Sequence, residues 1–231
     1  MIIWLASYPK SGNTYVRAFL SAYYFSDNGE FDFSQISSID QFPHEKFFKE
    51  KVNNISEASK QWLPIQREIN KDKKIRFFKT HSFLGNYQGN QFTSPETTLG
   101  AIYIVRDPRN VLTSLKNHYS FDDDNALKMI MDKTRSLMSN NGSHASLTYI
   151  SSWAENYLSW FRNKQFRRLF VKYEDLISNK YETFRDIVVF TNTLMNKVEG
   201  VNKSKLQKAI ESTNFDILKK KEMNETFDGS E

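Results

Sequence analysis

The chain has 231 residues with 39% hydrophobic and 15% aromatic side chains, enough for one domain with a sizeable core. It carries a net charge of +5, with no basic block longer than Lys219-Lys220-Lys221, a balance that suits a polyanionic cofactor better than nucleic acid. The absence of cysteine excludes disulfides, thiolate metal sites and a cysteine nucleophile. No stretch approaches the roughly 18 apolar residues of a spanning helix. The short apolar start lacks the basic region of a signal peptide, so a soluble, cytoplasmic protein without a membrane partner is expected.

Ile2 to Ala6 is an apolar run suited to a buried strand, and a turn containing Pro9, Ser11 and Gly12 follows. Val16, Phe19, Leu20 and Tyr23, spaced i, i+3, i+4, i+7, then predict a helix. Strand, glycine-containing turn and helix together aim backbone N–H groups and a helix N-terminus at an anion. Gly12 lets the backbone approach a phosphate closely, and Lys10 adds a point charge. The loop is not a Walker A motif, because Gly12 is followed by Asn13-Thr14 and the lysine lies before the glycine.

Residues 26–45 read as a polar, aromatic-rich connection, and 46–70 as helical, with Pro64 starting, kinking or ending a helix. Ile75 to Lys79 is a second strand leading into Thr80-His81-Ser82, and 83–98 read as loop. Ala101 to Val105 is the clearest buried strand. Asp107 as N-cap and Pro108 at the first helical position open a helix with Val111, Leu112, Leu115 and Tyr119 on its apolar face. Residues 120–146 are expected to be a mobile excursion around one short helix. Ile150, Trp153, Tyr157, Trp160 and Phe161 mark an amphipathic helix, Leu169 to Lys172 a fourth strand, and 180–222 more helices. Strands alternating with helices predict a single α/β domain over 1–231 with a central parallel sheet of about four to five strands. Ligands of such sheets bind at the carboxyl ends of the strands. Those ends offer Lys10, Lys79 with His81, Arg106 and Tyr173.

Four segments in order resemble the sulfotransferases that use 3′-phosphoadenosine 5′-phosphosulfate (PAPS). Tyr8-Pro9-Lys10-Ser11-Gly12-Asn13-Thr14-Tyr15 resembles the family's 5′-phosphosulfate loop. Phe78-Lys79-Thr80-His81 resembles its Lys-Thr-His segment. Val105-Arg106-Asp107-Pro108 through Ser114 resembles its 3′-phosphate segment, and Val171-Lys172-Tyr173-Glu174-Asp175-Leu176 its Tyr-Glu-Asp segment near the adenine. The resemblance covers residues 2 to about 178, with weaker similarity around Thr213-Asn214-Phe215-Asp216.

The resemblance implies a three-layer fold like that of the P-loop NTPases and metal-free sulfuryl transfer from PAPS to a hydroxyl or amine. His81 is then the base, Lys10 stabilises the leaving oxygen, and Lys79 helps neutralise the sulfuryl oxygens. Ser11, Gly12, Asn13 and Thr14 cradle the 5′-phosphosulfate, Arg106 and Ser114 hold the 3′-phosphate, and Tyr15 and Tyr173 flank the adenine. Asn13 stands where the family usually has Thr, and Tyr15 where it has Trp. The acceptor is expected to be a small molecule or a glycan or lipid hydroxyl, and a homo-oligomer is compatible. The competing readings are a catalytically silent protein holding PAPS or its product PAP and a P-loop kinase or NTPase using Ala101–Asp107 as a Walker B; nucleic-acid binding ranks behind both.

The family's late Arg-Lys-Gly loop has no counterpart before Glu231: the last arginine is Arg185. An open, weak donor site is therefore expected, with a partner chain or Lys219-Lys220-Lys221 as alternative third walls.

Overall fold

The computed structural model describes residues 1–141, 144–214, 217 and 218. Lys219-Lys220-Lys221, Phe215 and Asp216 lie outside the described residues. The elements begin with β1 (Ile2–Ser7), α1 (Asn13–Phe25), β2 (Asp40–Gln41), α2 (Ile55–Ile69) and β3 (Arg76–Thr80). Next come β4 (Asn86–Tyr87), β5 (Asn90–Gln91), β6 (Thr98–Val105), α3 (Pro108–Tyr119) and α4 (Asp123–Met131). The chain continues through β7 (Ser136–Asn141), β8 (His144–Tyr149), α5 (Trp153–Arg162), β9 (Arg167–Lys172), α6 (Tyr173–Ser178), α7 (Lys180–Leu194) and α8 (Lys203–Ser212).

Five strands form one parallel sheet in the order β2-β3-β1-β6-β9. β1 lies at its centre and is buried along its whole length. Its alternation divides the core between two faces. Ile3 and Leu5 join a cluster with Val16, Phe19, Phe184, Ile187 and Leu206, contributed by α1, α7 and α8. Ile2, Trp4 and Ala6 face Phe42, Trp62, Phe78, Phe92 and Trp160 on the other side. The Trp4 indole N–H donates to Thr98 Oγ1 at 2.9 Å, so this central ring is buried with its polar atom paired. Because the chain leaves β1 for β3 on one side and β6 on the other, a crevice opens at the carboxyl end of β1.

The structure departs from the predicted elements in five places. β2, within the expected connection, adds a two-residue edge strand beside β3. Pro64 sits inside α2 without ending it, on an exposed face where its ring meets solvent and not the core. Residues 48–54 are not helical; α2 starts where Asn54 caps it by accepting from Glu57 N at 3.0 Å. β4 and β5 form a hairpin where loop was expected, turned by Gln88 and Gly89 at φ 50° and 87°, the left-handed pair such a two-residue turn requires. Residues 120–149 hold, besides the expected helix α4, the antiparallel pair β7–β8.

Candidate active site

The loop between β1 and α1 follows from two left-handed residues. Lys10 has φ 63° and Gly12 φ 92°, so the chain reverses within three residues and α1 starts directly behind it. A non-glycine residue at positive φ is costly, and such strain persists only where neighbours hold it. Here Arg106 Nη1 donates to the Lys10 carbonyl at 2.9 Å and pins the loop from the end of β6. Gly12 is required twice over, since a Cβ there would lie 2.5 Å from Cδ2 of the Tyr173 ring. The Arg106 guanidinium covers the other part of that ring at 4.3 Å from its centroid. No side chain caps the N-terminus of α1, so its first N–H groups face the loop.

Lys10, Gly12, Asn13, Thr14, His81, Arg106, Ser114 and Tyr173 line one cleft of about 350 Å³ at the carboxyl ends of β1, β3, β6 and β9. Four come from the loop between β1 and the start of α1, and the other four from the end of β3, the end of β6, α3 and the start of α6. Asp107 caps α3 by accepting from Arg109 N at 2.9 Å, with Pro108 at its first position, and Ser114, two turns along, lines the cleft with Arg106. Asp107 N also donates to Glu174 Oε1 at 3.1 Å, tying the start of α3 to α6, whose first residue is Tyr173.

His81 follows β3 directly and is only 5% exposed. Its Nδ1 lies 2.8 Å from the main-chain oxygen of Ser7 and 3.2 Å from Ser7 Oγ. Asn156 Nδ2 donates to the His81 carbonyl at 2.9 Å. Near Lys10, burial pushes the His118 imidazole below its usual range, and the Lys10 charge adds to the effect.

Three expected site residues lie apart from the cleft lining. Tyr15 is 5% exposed and stacks edge-on against Phe184 at 5.2 Å, in the core under the helix; burial pushes its phenol up to about 12. The reason is position: three residues past Gly12 on α1, it falls on the face turned to α7. Lys79 points from β3 toward β2 and donates to Gln41 Oε1 at 3.1 Å. The Ser11 hydroxyl is buried within the loop, with no hydrogen-bond partner among the described residues. Asn13 reaches the lining, but its amide turns back to donate to Leu5 O and Ser7 Oγ, each at 3.1 Å.

Ser7, Asn156, Tyr103 and His118 were missed from sequence. Asn156 had a legible signal: it sits three residues after Trp153 and four before Trp160, a polar side chain on an apolar stripe. Ser7 and His118 had none, because only the folded chain brings them to His81 and Lys10.

Residues 2–230 match the family model described as the sulfotransferase domain. Two solved structures share the fold. Retinol dehydratase in complex with androsterone and the inactive cofactor PAP aligns with a TM-score of 0.59 at 17% identity, over 94% of this chain and 65% of that one. Retinol dehydratase in a complex with retinol and PAP aligns with a TM-score of 0.57, also at 17% identity and the same coverages. The chain thus spans about two thirds of the length of these solved relatives. No curated protein matches the sequence.

Proposed function

The chain belongs to the sulfotransferase domain family, and we propose that it transfers a sulfuryl group from PAPS to a hydroxyl or amine acceptor. One observation carries the reading: Lys10, His81, Arg106 and Ser114 converge on the Gly12 loop in a single cleft. The loop fits a phosphosulfate on physical grounds. It has a left-handed glycine whose Cβ would collide with Tyr173, and an uncapped helix N-terminus behind it. The Arg106 Nε is buried without a hydrogen-bond partner among the described residues, as a donor awaiting an anion would be.

The donor supplies the sulfuryl group and a phosphate leaving oxygen. The N–H groups at the start of α1 and the Thr14 hydroxyl hold the 5′ end, and Lys10 stabilises charge growing on the leaving oxygen. Arg106 and Ser114 hold the 3′-phosphate, selecting PAPS over other adenylates, and Tyr173 supplies an aromatic surface. His81 takes the acceptor's proton on Nε2 as the oxygen or nitrogen attacks. Lys79, bound to Gln41, acts as a charge behind the site, and Tyr15 and Ser11 support the loop from the core. The acceptor is a hydroxyl-bearing small molecule, glycan or lipid, and the protein acts in the cytoplasm.

The test is turnover of labelled PAPS against a panel of alcohols, phenols, amines and glycans. His81→Ala and Lys10→Ala are each expected to lower turnover by about a hundredfold or more, and His81→Ala to leave PAP affinity nearly unchanged. His81→Ala at full activity on a proven acceptor would remove the base assignment. Tight ATP·Mg²⁺ binding without PAP binding would remove the sulfotransferase reading.

A further inference from the structure

Behind His81 lies a set of buried polar side chains that the transfer reaction does not use directly. β1 ends at Ser7 and β3 ends one residue before His81, so the imidazole bridges the ends of adjacent strands. The Ser7 carbonyl can only accept, so the 2.8 Å contact puts a proton on His81 Nδ1. Proton exchange with a substrate then falls to Nε2. Ser7 Oγ, 3.2 Å from the same nitrogen, accepts from Asn13 Nδ2 at 3.1 Å. The Asn13 amide also donates to Leu5 O at 3.1 Å, which fixes its orientation.

The other side of His81 is held through its backbone. Asn156 Nδ2 donates to His81 O at 2.9 Å and to Ile150 O at 2.8 Å, while its Oδ1 accepts from the Tyr103 hydroxyl at 2.9 Å. Both asparagines are almost wholly buried, at 4% and 0% exposure. A flipped Asn156 would set its oxygen against two carbonyl oxygens, and a flipped Asn13 against the Leu5 carbonyl, so the arrangement seen is the favoured one at each. The ring is fixed at Nδ1 from β1, and its main chain from α5 and β6.

We propose that Asn156, acting on the His81 carbonyl, and Asn13, acting through Ser7, are positioning residues that present His81 to the cleft as its Nδ1-protonated tautomer. The proposal rests on the sulfuryl-transfer reading only in making Nε2 the atom that receives the acceptor's proton. Holding a reacting group in one tautomer and one direction before substrate arrives is a recognised source of rate.

The experiment is nitrogen NMR of imidazole-labelled, ligand-free protein at a pH where the rings are neutral, with the His81 signals assigned by their loss in His81→Gln. The Nδ1–H form is expected to dominate at His81. A hydrogen bond of ordinary net worth shifts such a ratio by about three- to tenfold, so Asn13→Ala and Asn156→Ala should each lower it by that factor. PAP affinity, followed by calorimetry in Asn156→Ala and Ser7→Ala, should stay within about threefold, the lower bound of one such bond. If Asn156→Ala does not fold, Ser7→Ala, which removes one hydroxyl from the strand end, carries the test. A dominant Nε2–H tautomer in the unsubstituted protein, or a ratio unmoved by every folded variant, overturns the proposal. An Nδ1–H ring in a protein that binds no PAP would instead overturn the sulfotransferase reading and leave the tautomer lock standing.

Discussion

Gly12 carries two demands that no other residue meets: a φ of 92° and a Tyr173 ring where a Cβ would go. Gly12→Ala must therefore strain the backbone and push Tyr173, and with it the Arg106 guanidinium stacked on its face. A left-handed non-glycine residue costs about 1–2 kcal/mol of folding stability, and the displaced Tyr173 and Arg106 should lower PAP affinity measured by calorimetry by about tenfold or more, the worth of one charge-assisted contact. Tyr15 makes the opposite case. Its hydroxyl is buried with no hydrogen-bond partner among the described residues, and burial holds its phenol near 12. Because burial disfavours the phenolate, the folded state keeps this proton longer than the unfolded chain, so stability falls as pH rises from about 10 toward 12 and is untouched by the group below that range. Tyr15→Phe is expected to leave PAP affinity within about threefold and to be neutral or stabilising at pH 7. It should also flatten the loss of stability between pH 10 and 12 in denaturant titrations. A large affinity loss would return Tyr15 to the adenine site.

At the scale of elements, the start of α3 joins stability to the site. Asp107 accepts from Arg109 N, and its own N–H donates to Glu174, so one residue both caps a helix and ties it to α6. Asp107→Ala should lower unfolding free energy by about 1 kcal/mol, the usual worth of such a cap. Urea titration would measure the loss, and calorimetry with PAP should show weaker binding, because the cap fixes the start of the helix that carries Ser114, while the main-chain tie to Glu174 survives the substitution. A full loss of stability with unchanged PAP affinity would separate the cap from the site. The N-terminus of α1 has no side-chain cap, in keeping with a helix end left for a ligand. Where sheet and helix approach closely, small residues decide. Gly100 on β6 leaves room for Leu194 of α7, which a Cβ would approach to 2.5 Å.

At the scale of the molecule, the cleft joins residues from four strand ends, so a ligand bridging them stabilises the whole sheet. PAP at a hundred times its dissociation constant should add about 2.7 kcal/mol to folding stability. A thermal shift is expected with PAP, undiminished by EDTA, and a smaller one with ATP·Mg²⁺ at equal concentration. An EDTA-sensitive shift would contradict the metal-free reading. Among the described residues, no helix is long and apolar enough to cross a membrane.

Local chemistry was enough for the sequence by itself to determine much of this. The apolar run of β1, the Pro9–Gly12 turn, the Asp107-Pro108 helix start and the placing of Lys10, His81 and Arg106 at strand ends are readable because strands, caps and glycine turns have short-range causes. The alternation of strands and helices pointed to an α/β domain with a parallel sheet, and four motifs in order pointed to the family. Other features waited on tertiary structure. β2 is two residues long and exists only because β3 offers it an edge. Tyr15 falls in the core because α7 lies over that face of α1, and Lys79 turns to Gln41 because β2 is there. The hold on His81 joins Ser7, Asn13, Tyr103 and Asn156, up to 149 residues apart in number. No local pattern encodes such a set, since hydrogen bonds between strand ends and α5 are chosen by packing, which assembles only when the chain is folded.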